Sequence, residues 1–389
     1  MNVNELLKIS VERKASDLHL KVGSPPVMRI DGRLIPMIEQ RRITQEDAVT
    51  IASGIMTPAQ KERFKIKSEI DVAYSVPGLG RFRVNIFQQR GTVGVVLRVI
   101  PMKILTIDDL NLPKVLEKIA MEQRGLILVT GTTGSGKSTS LAAMIDYINS
   151  NRTEHIMTIE DPIEFLHRDK KSLVNQSEVG VDTENFGGAL RSALRQDPDV
   201  ILVGEMRDFE TISTALTAAE TGHLVMSTLH TVDAAETINR IISVFPPHQH
   251  KQIRLQLAAV LKGIVSQRLV PRADGKGRVP AVEVLVATAT IRECIIEPEK
   301  TRMIPDVIAA GFTQYGMQTF DQSLMRLYQR ELITYEEALR RASNPDDFAL
   351  KVRGIQSTSD LAFDTEEKKA PAATSAGGRE DFKIERFGE

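Results

Sequence analysis

The sequence predicts an α/β protein whose larger part is a parallel β-sheet with helices on both faces. Four short, almost continuous apolar runs, GLILVT, HIMTIE, VILVGE and HLVMSTL, are separated by segments long enough to form helices. Buried parallel strands have this pattern because helices cover both faces of their sheet. The first 100 residues differ, since apolar and polar residues alternate there between glycine-rich turns, and they predict a small α+β domain with an antiparallel sheet.

The elements of the first domain follow from local patterns. Residues 3–14 have near-helical apolar spacing, and SDLHLKVGSPPVMRIDGRLIPM predicts short strands broken at Gly-Ser-Pro-Pro and at Asp-Gly. One helix is expected over residues 44–65. The stretch EIDVAYSVPGLGRFRVNIFQQRGTVGVVLRVI then predicts three strands joined by glycine-rich turns.

Later segments return to helical patterns after the four apolar runs. Helices are expected at about residues 248–265, 320–330 and 335–342. The stretch EEKKAPAATSAGGRED cannot bury enough apolar surface to fold alone, so a disordered tail is expected. The predicted limits are 1–100 for the first domain, 101–113 for a linker, 114–355 for the α/β domain and 356–389 for the tail.

Composition restricts the class of protein. The chain has 389 residues, 42% of them hydrophobic, which suits two domains. Its net charge of -1 argues against a general polyanion binder. The single cysteine, Cys294, excludes a disulfide framework and a cysteine-rich zinc ribbon, and we expect it to be buried. Because no stretch could span a bilayer and the amino-terminus has no apolar secretion region, we expect a cytoplasmic protein.

A phosphate-binding loop is expected directly after the first apolar run. In VTGTTGSGKSTS, Gly131, Gly136, Lys137 and Ser138 fit the G-x-x-x-x-G-K-S pattern between a predicted strand and a predicted helix. The glycines let backbone N–H groups converge on a phosphate, and the helix N-terminus adds partial positive charge. We expect Lys137 to reach the β- and γ-phosphates and Ser138 to bind Mg²⁺. The predicted nucleoside triphosphate site comprises Gly131, Thr132, Thr133, Gly134, Ser135, Gly136, Lys137, Ser138 and Thr139.

Carboxylates stand at the ends of two predicted strands. Glu160 and Asp161 end HIMTIED, Glu164 follows shortly after, and Glu205 ends VILVGE. The carboxyl ends of parallel strands share the edge of the sheet at which the phosphate loop lies. Phosphoryl transfer needs an acid that holds Mg²⁺ and a group that orients or deprotonates the nucleophile. These acids can supply both functions, although Glu205 stands where the usual motif has aspartate.

Two histidines flank the run LVMSTL. His223 precedes it and His230 follows it, and a spacing of seven in a regular strand points them to opposite faces, so they need not share a role. His230 could sense the γ-phosphate, and His223 could act at a subunit boundary.

Several arginines of the first domain are candidates for a contact between subunits. Motor ATPases often use an arginine from a neighbouring subunit to neutralise charge in the transition state. The candidates in the predicted antiparallel sheet are Arg81, Arg83, Arg90 and Arg98.

Four ordered motifs together resemble those of a known superfamily. GTTGSGKSTS, TIEDPIEF, RQDPDVILVGEMRD and TGHLVMSTLHT look like the Walker A, Asp box, Walker B and His box of the type II secretion and type IV pilus ATPases. SDLHLKVGSPPVMRIDGRL and GRFRVNIFQQRGTVGVVLRVIP are similar to the twitching-motility retraction ATPases, the PilT/PilU family. The resemblance covers about residues 3–350. It implies a homo-hexameric ring that holds ATP and Mg²⁺ between a PAS-like amino-terminal domain and a RecA-like P-loop domain.

The resemblance also implies roles for the candidate residues. Glu164 would be the catalytic glutamate, with Glu160 in the same box, and Glu205 would be the Walker B acid that acts through Mg²⁺. The His-box pair would be His223 and His230. Of the four candidate arginines, the resemblance favours Arg81 and Arg98 as those that face the phosphates and leaves the choice among the four open.

The implied function is ATP-driven retraction of a type IV pilus at the inner-membrane pilus base, through a membrane platform protein. Pilus assembly ATPases carry an extra amino-terminal region and a four-cysteine metal motif, and the sequence has neither, which favours retraction.

Alternatives to an autonomous retraction motor stay open. PilT-like proteins have an AIRNLI-type segment where this chain has ATIRECII, so one alternative is a PilU-like accessory ATPase that docks on a paralogous retraction ATPase. A related secretion or conjugation traffic ATPase is another. A nucleic-acid motor is disfavoured, because the chain is nearly neutral, lacks tryptophan and has only 5% aromatic residues for base stacking.

Overall fold

The computed structural model describes residues 1–30, 32–100 and 103–354, in which two β-sheets have separate hydrophobic cores. The first sheet has the order β3-β2-β1-β6-β5-β4, and every neighbouring pair is antiparallel. Its strands are β1 (Asp17–Lys21), β2 (Val27–Ile30), β3 (Arg33–Pro36), β4 (Glu69–Val76), β5 (Gly80–Gln89) and β6 (Thr92–Val99). The predicted antiparallel sheet is therefore confirmed.

The helices beside this sheet are α1 (Val3–Glu12), α2 (Gln45–Ile55) and α3 (Pro58–Lys67). The prediction of one helix over residues 44–65 is wrong, because the chain breaks at Met56 and Thr57. The side chain of Thr57 accepts the backbone N–H of Gln60, and Pro58 occupies the first helical position. A threonine cap followed by proline favours the start of a new helix.

The second sheet has the order β13-β12-β7-β11-β10-β8-β9. Within it β13 alone runs antiparallel to its neighbour, which is β12. Its strands are β7 (Gly125–Thr130), β8 (His155–Glu160), β9 (Leu173–Glu178), β10 (Val200–Val203), β11 (Leu224–Leu229), β12 (Leu261–Pro271) and β13 (Arg278–Val286). Strands β7, β8, β10 and β11 confirm the four predicted apolar strands.

Helices pack on both faces of this sheet. Along β7, Leu126 and Leu128 belong to one core cluster, whereas Ile127 and Val129 belong to another. The helices are α4 (Val115–Ala120), α5 (Lys137–Asn151), α6 (Phe186–Ala193), α7 (Phe209–Glu220), α8 (Ala234–Ser243), α9 (His250–Val260), α10 (Ala289–Ile296), α11 (Ile304–Ala310), α12 (Phe312–Tyr315), α13 (Phe320–Gln329), α14 (Tyr335–Arg341) and α15 (Pro345–Val352). Two short 3₁₀ helices, Pro247–Gln249 and Pro298–Met303, join some of them.

Helix α9 ends earlier than the sequence pattern predicts. The helix expected to about residue 265 stops at Val260, and β12 starts at Leu261 without a connecting loop. Strand β12 pairs with β7 and β13, so its backbone polar groups are satisfied by the sheet instead. Cys294 on α10 is buried, as predicted. The predicted tail, residues 356–389, lies outside the described residues.

No helix in the described ranges is both long enough and apolar enough to cross a bilayer.

Candidate nucleotide site

A cleft of about 550 Å³ opens at the carboxyl ends of the parallel strands. The strands bring the predicted residues there, because β8, β10 and β11 end in Glu160, Val203 and Leu229 at the edge where β7 enters the phosphate loop. The predicted site residues that line this cleft are Thr133, Gly134, Gly136, Lys137, Ser138, Thr139, Glu160, Glu164, Glu205 and His230. Gly131, Thr132 and Ser135 line an adjoining cavity of about 420 Å³ beside the same loop.

The phosphate loop needs its first glycine because another strand comes close. A Cβ atom on Gly131 would lie 2.5 Å from the carbonyl oxygen of Gln267 in β12. The φ of Gly131 is +140°, a conformation that side chains rarely adopt. Gly136 has a φ of 93° and directly precedes α5, whose first residue is Lys137. The loop thus enters the helix in the strand–loop–helix arrangement that the motif predicts.

The ammonium group of Lys137 is held by the loop itself. Its Nζ donates hydrogen bonds to the carbonyl oxygens of Gly131, at 2.8 Å, and Thr132, at 3.1 Å. Burial lowers the pKa of Lys137, and Arg207 acts in the same direction, while the negative charges of Glu164 and Glu205 oppose the shift. Both carboxylates are therefore close enough to act on the lysine electrostatically.

Glu205, Arg207 and His230 form a polar cluster in the cleft. Arg207 Nη2 lies 2.7 Å from Glu205 Oε2, and His230 Nε2 lies 3.6 Å from the same oxygen. The pKa of His230 is lowered, first by burial and then by the positive charges of Lys137 and Arg207, although Glu205 acts against this. His230 therefore has a neutral imidazole at neutral pH.

Glu160 is fixed at the end of β8. Thr158 Oγ1 donates to Glu160 Oε1 at 2.6 Å, and Gln176 Nε2 of β9 donates to the same oxygen at 3.1 Å. Burial raises the pKa of Glu160 despite these two hydrogen bonds. Gln176 also donates to the carbonyl oxygen of Phe165 at 2.9 Å, so β9 positions the loop that carries Glu164.

Three further predicted site residues line neither the cleft nor the adjoining cavity of their own chain. His223 is at the opposite end of β11 from His230, and its Nδ1 lies 2.9 Å from the carbonyl oxygen of Ala218. Arg81 Nη2 donates to Glu178 Oε2 at 2.7 Å. Arg98 Nε donates to Asp17 Oδ1 at 2.9 Å, within the first sheet.

Several residues of the cleft were missed by sequence reasoning. Arg207 could have been found, since it follows Glu205 by two residues in the same motif. Thr228, whose Oγ1 donates to the Gly204 carbonyl at 2.7 Å, is less visible because only the pairing of β10 with β11 brings it there. Leu269 and Arg278 also line the cleft and come from β12 and β13, strands that the sequence pattern did not predict.

The described residues contain no group of three or more histidine, cysteine, aspartate or glutamate side chains that could hold a metal ion by themselves.

Fold and cleft define a P-loop ATPase of the α/β class. Residues 2–303 match the family of type II/IV secretion system proteins. The chain belongs to this family and, within it, to the PilT/PilU type IV pilus retraction ATPases. The family and the ATPase activity predicted from the sequence are confirmed.

Individual relatives cover almost the whole chain. The type IV pilus retraction ATPase PilT of Pseudomonas aeruginosa is 47% identical over 352 residues, which span 90% of this chain and 100% of that protein. The type IV pilus ATPase PilU of the same organism is 44% identical over 92% of this chain and 94% of that protein. A crystal structure of the pilus retraction motor PilT with bound ADP superposes with a TM-score of 0.83 at 46% identity, over 89% of this chain and 98% of that one.

Proposed function

We propose that this protein is a hexameric motor that hydrolyses Mg²⁺-bound ATP and retracts a type IV pilus. It would work in the cytoplasm at the inner-membrane pilus base, on a membrane platform protein. The observation that carries the proposal is the meeting of Lys137, Glu164, Glu205 and His230 in one cleft. We further propose a PAS-like domain at residues 1–100, a linker at 101–113, a RecA-like domain at 114–355 and a disordered tail at 356–389.

The phosphate loop binds the triphosphate in this proposal. Lys137 is buried, so its ammonium is poorly solvated and attracts a phosphate more strongly than an exposed lysine would. The N–H groups of the loop and the N-terminus of α5 add partial positive charge at the same place. Together they orient the β- and γ-phosphates for attack at the terminal phosphorus.

Ser138 and Glu205 are suited to hold Mg²⁺. Both line the cleft and offer oxygen atoms, the ligands that Mg²⁺ prefers, and Mg²⁺ usually takes its remaining ligands from phosphates and water. When bound, the ion neutralises charge on the phosphates. Glu205 is now paired with Arg207, so we expect Arg207 to compete with the metal for this carboxylate.

Glu164 is the proposed group that orients the attacking water and accepts its proton. It follows β8 and lines the cleft together with residues of the phosphate loop. Glu160 Oε1 already accepts hydrogen bonds from Thr158 and Gln176, so Glu160 is better suited to support the loop than to accept the proton. His230, neutral at neutral pH, can donate a hydrogen bond to the γ-phosphate and so distinguish ATP from ADP.

Arg81 and Arg98 are proposed to act across a subunit boundary, where His223 would also lie. In their own chain both are engaged by carboxylates, Glu178 and Asp17. An arginine that reaches a neighbouring cleft would therefore have to leave its partner. That exchange would link charge neutralisation at one site to a movement of the first sheet.

The first test is steady-state ATP turnover with Mg²⁺ by the purified chain, with light scattering for mass. Lys137→Ala and Glu164→Gln should each lower kcat by at least about 100-fold, because they remove a phosphate charge and the proton acceptor. Glu336→Gln is the matched control, since Glu336 is exposed on α14 and does not line the cleft. Turnover that survives both cleft substitutions would contradict the proposed site.

Pilus retraction is tested separately in a piliated bacterium whose own retraction ATPase has been deleted. Expression of this chain should restore retraction, and the Glu164→Gln variant should not. An active hexamer that restores no retraction would exclude the retraction motor. Rescue only when a second retraction ATPase is present would favour the accessory function instead.

A further inference from the structure

A buried polar chain crosses three strands behind the phosphate loop. Thr130, the last residue of β7, donates from Oγ1 to Ser266 Oγ of β12 at 3.0 Å. Ser266 stands between Thr130 and Glu283 in the sheet, paired with both, and its hydroxyl favours the ionised form of the Glu283 carboxyl by lowering its pKa. Thr130 and Ser266 are fully buried, and only 6% of Glu283 is exposed.

The same carboxylate reaches the segment that follows His230. Glu283 Oε1 accepts the backbone N–H of Ala234, the first residue of α8, at 2.9 Å. Four residues earlier His230 lines the nucleotide cleft, and Val232 lines the cavity beside the phosphate loop. One carboxylate therefore joins the strand that enters the phosphate loop to the helix that follows His230.

A negative charge on the buried carboxyl group of Glu283 is unfavourable. Burial raises the pKa of Glu283 to about 7, and the nearby Asp233 acts in the same direction. The Ala234 N–H, the positive charge of Arg268 and the Ser266 hydroxyl oppose the shift. A buried carboxylate without a full counter-charge costs stability, whereas the oxygen of a neutral amide of the same size could still accept the Ala234 N–H.

We propose that Glu283 is a positioning residue that holds the phosphate loop and the amino-terminal end of α8 together, so that nucleotide in the loop changes the position of α8. Glu283 does not line the cleft, so it would not contact the nucleotide itself. Helix α8 packs on α9 and α11 as well as on β12 and β13, so a shift of its amino-terminal end would reach these helices. The inference rests on the nucleotide site proposed above and adds a structural connection from that site to α8.

Charge on Glu283 should strengthen this connection. An ionised carboxylate is a stronger acceptor for the N–H group of a helix N-terminus than a protonated one. As the pH falls through about 7, Glu283 takes up a proton, and the hold on Ala234 weakens. The parent protein should therefore lose turnover over this interval, beyond what its cleft residues cause.

Glu283→Gln tests the proposal because it keeps the size and the acceptor but removes the charge. At pH 8 we expect kcat to fall about tenfold while the KM for ATP changes by less than about threefold. The pH profile of kcat should lose its step near 7. The unfolding temperature at pH 8 should rise by about 2–5 °C, since a folded-state pKa above the unfolded value makes ionisation destabilising as the pH rises.

A measurement without turnover supports the kinetic one. Bound ADP should protect the backbone amides of α8 from hydrogen exchange in the parent and not in Glu283→Gln, although both bind ADP. Glu154→Gln is the matched control, because Glu154 is another carboxyl group whose burial raises its pKa, but it pairs with Arg152 away from the cleft. It should change neither the pH profile nor the protection of α8.

Two further results would contradict either the inference or the proposed function. If Glu283→Gln lowers the unfolding temperature at pH 8 and keeps the parent's kcat and pH profile, the residue is only structural and the inference is wrong. If the parent shows no Lys137-dependent turnover, the proposed function fails instead. Hydrogen exchange of the α8 backbone amides with ADP bound still decides the inference.

Discussion

The positive and negative side chains of the cleft interact directly with one another. Arg207 is bound to Glu205, and both Lys137 and Arg207 lower the pKa of His230. The protonation of His230 therefore depends on both of these positive charges and on Glu205. The sequence places Lys137, Glu205 and His230 in this group because their motifs stand at strand ends, but the contact between Arg207 and His230 depends on the spacing of β10 and β11.

Arg207→Ala should raise the pKa of His230. The substitution removes a positive charge that disfavours the imidazolium and leaves Glu205 free to favour it. We expect the protonated fraction of His230 at pH 6.5 to increase, and NMR titration of the histidine ring resonances measures it. Arg302→Ala is the matched control, since Arg302 is exposed and remote from the cleft. An unchanged or lower pKa would show that Arg207 does not act on His230.

At the scale of single helices and strands, some boundaries can be predicted from local sequence signals and others cannot. The break between α2 and α3 has a signal in the sequence, Thr57 followed by Pro58, and the prediction of one helix overlooked it. The change from α9 to β12 has only a weak one, because the one residue of AAVLKGIV that disfavours a helix is Gly263, three residues beyond the observed end, and pairing with β7 decides the outcome. Most strands of both sheets were predictable from apolar patterns, whereas β9, β12 and β13 depend on the neighbours they acquire.

Thr57→Ala should weaken α3. Its hydroxyl accepts the N–H of Gln60, and the loss of such a cap costs about 1 kcal/mol of unfolding free energy. Urea unfolding followed by circular dichroism measures the change. Thr57→Ser keeps the hydroxyl and should cost less than half as much. Equal losses in the two variants would mean that the methyl group, and not the cap, stabilises this helix.

The two sheets of the whole molecule are joined through one carboxylate as well as by the chain. Glu178, at the end of β9, accepts from Arg81 of the first sheet at 2.7 Å and from the backbone N–H of Ile163 at 3.2 Å, through the same oxygen. Ile163 immediately precedes Glu164. The sequence could not predict this contact, because Arg81 and Glu178 are 97 positions apart and neither stands in a recognisable pair.

Glu178→Gln should destabilise the folded chain by about 3 kcal/mol, because it leaves the partly buried Arg81 without its counter-charge. The double variant Arg81→Gln with Glu178→Gln should recover part of the loss. Chemical unfolding of the parent, the two single variants and the double variant measures the coupling. Additive losses would mean that the ion pair does not couple the two sheets.

The hydrogen bonds between the phosphate loop and its own lysine also affect how a nucleotide binds. Because Nζ of Lys137 already donates to the carbonyl oxygens of Gly131 and Thr132, an arriving phosphate replaces existing bonds instead of satisfying a free cation. The loop thus acts as an internal competitor of the nucleotide. The net gain from this ammonium is the difference between two sets of acceptors.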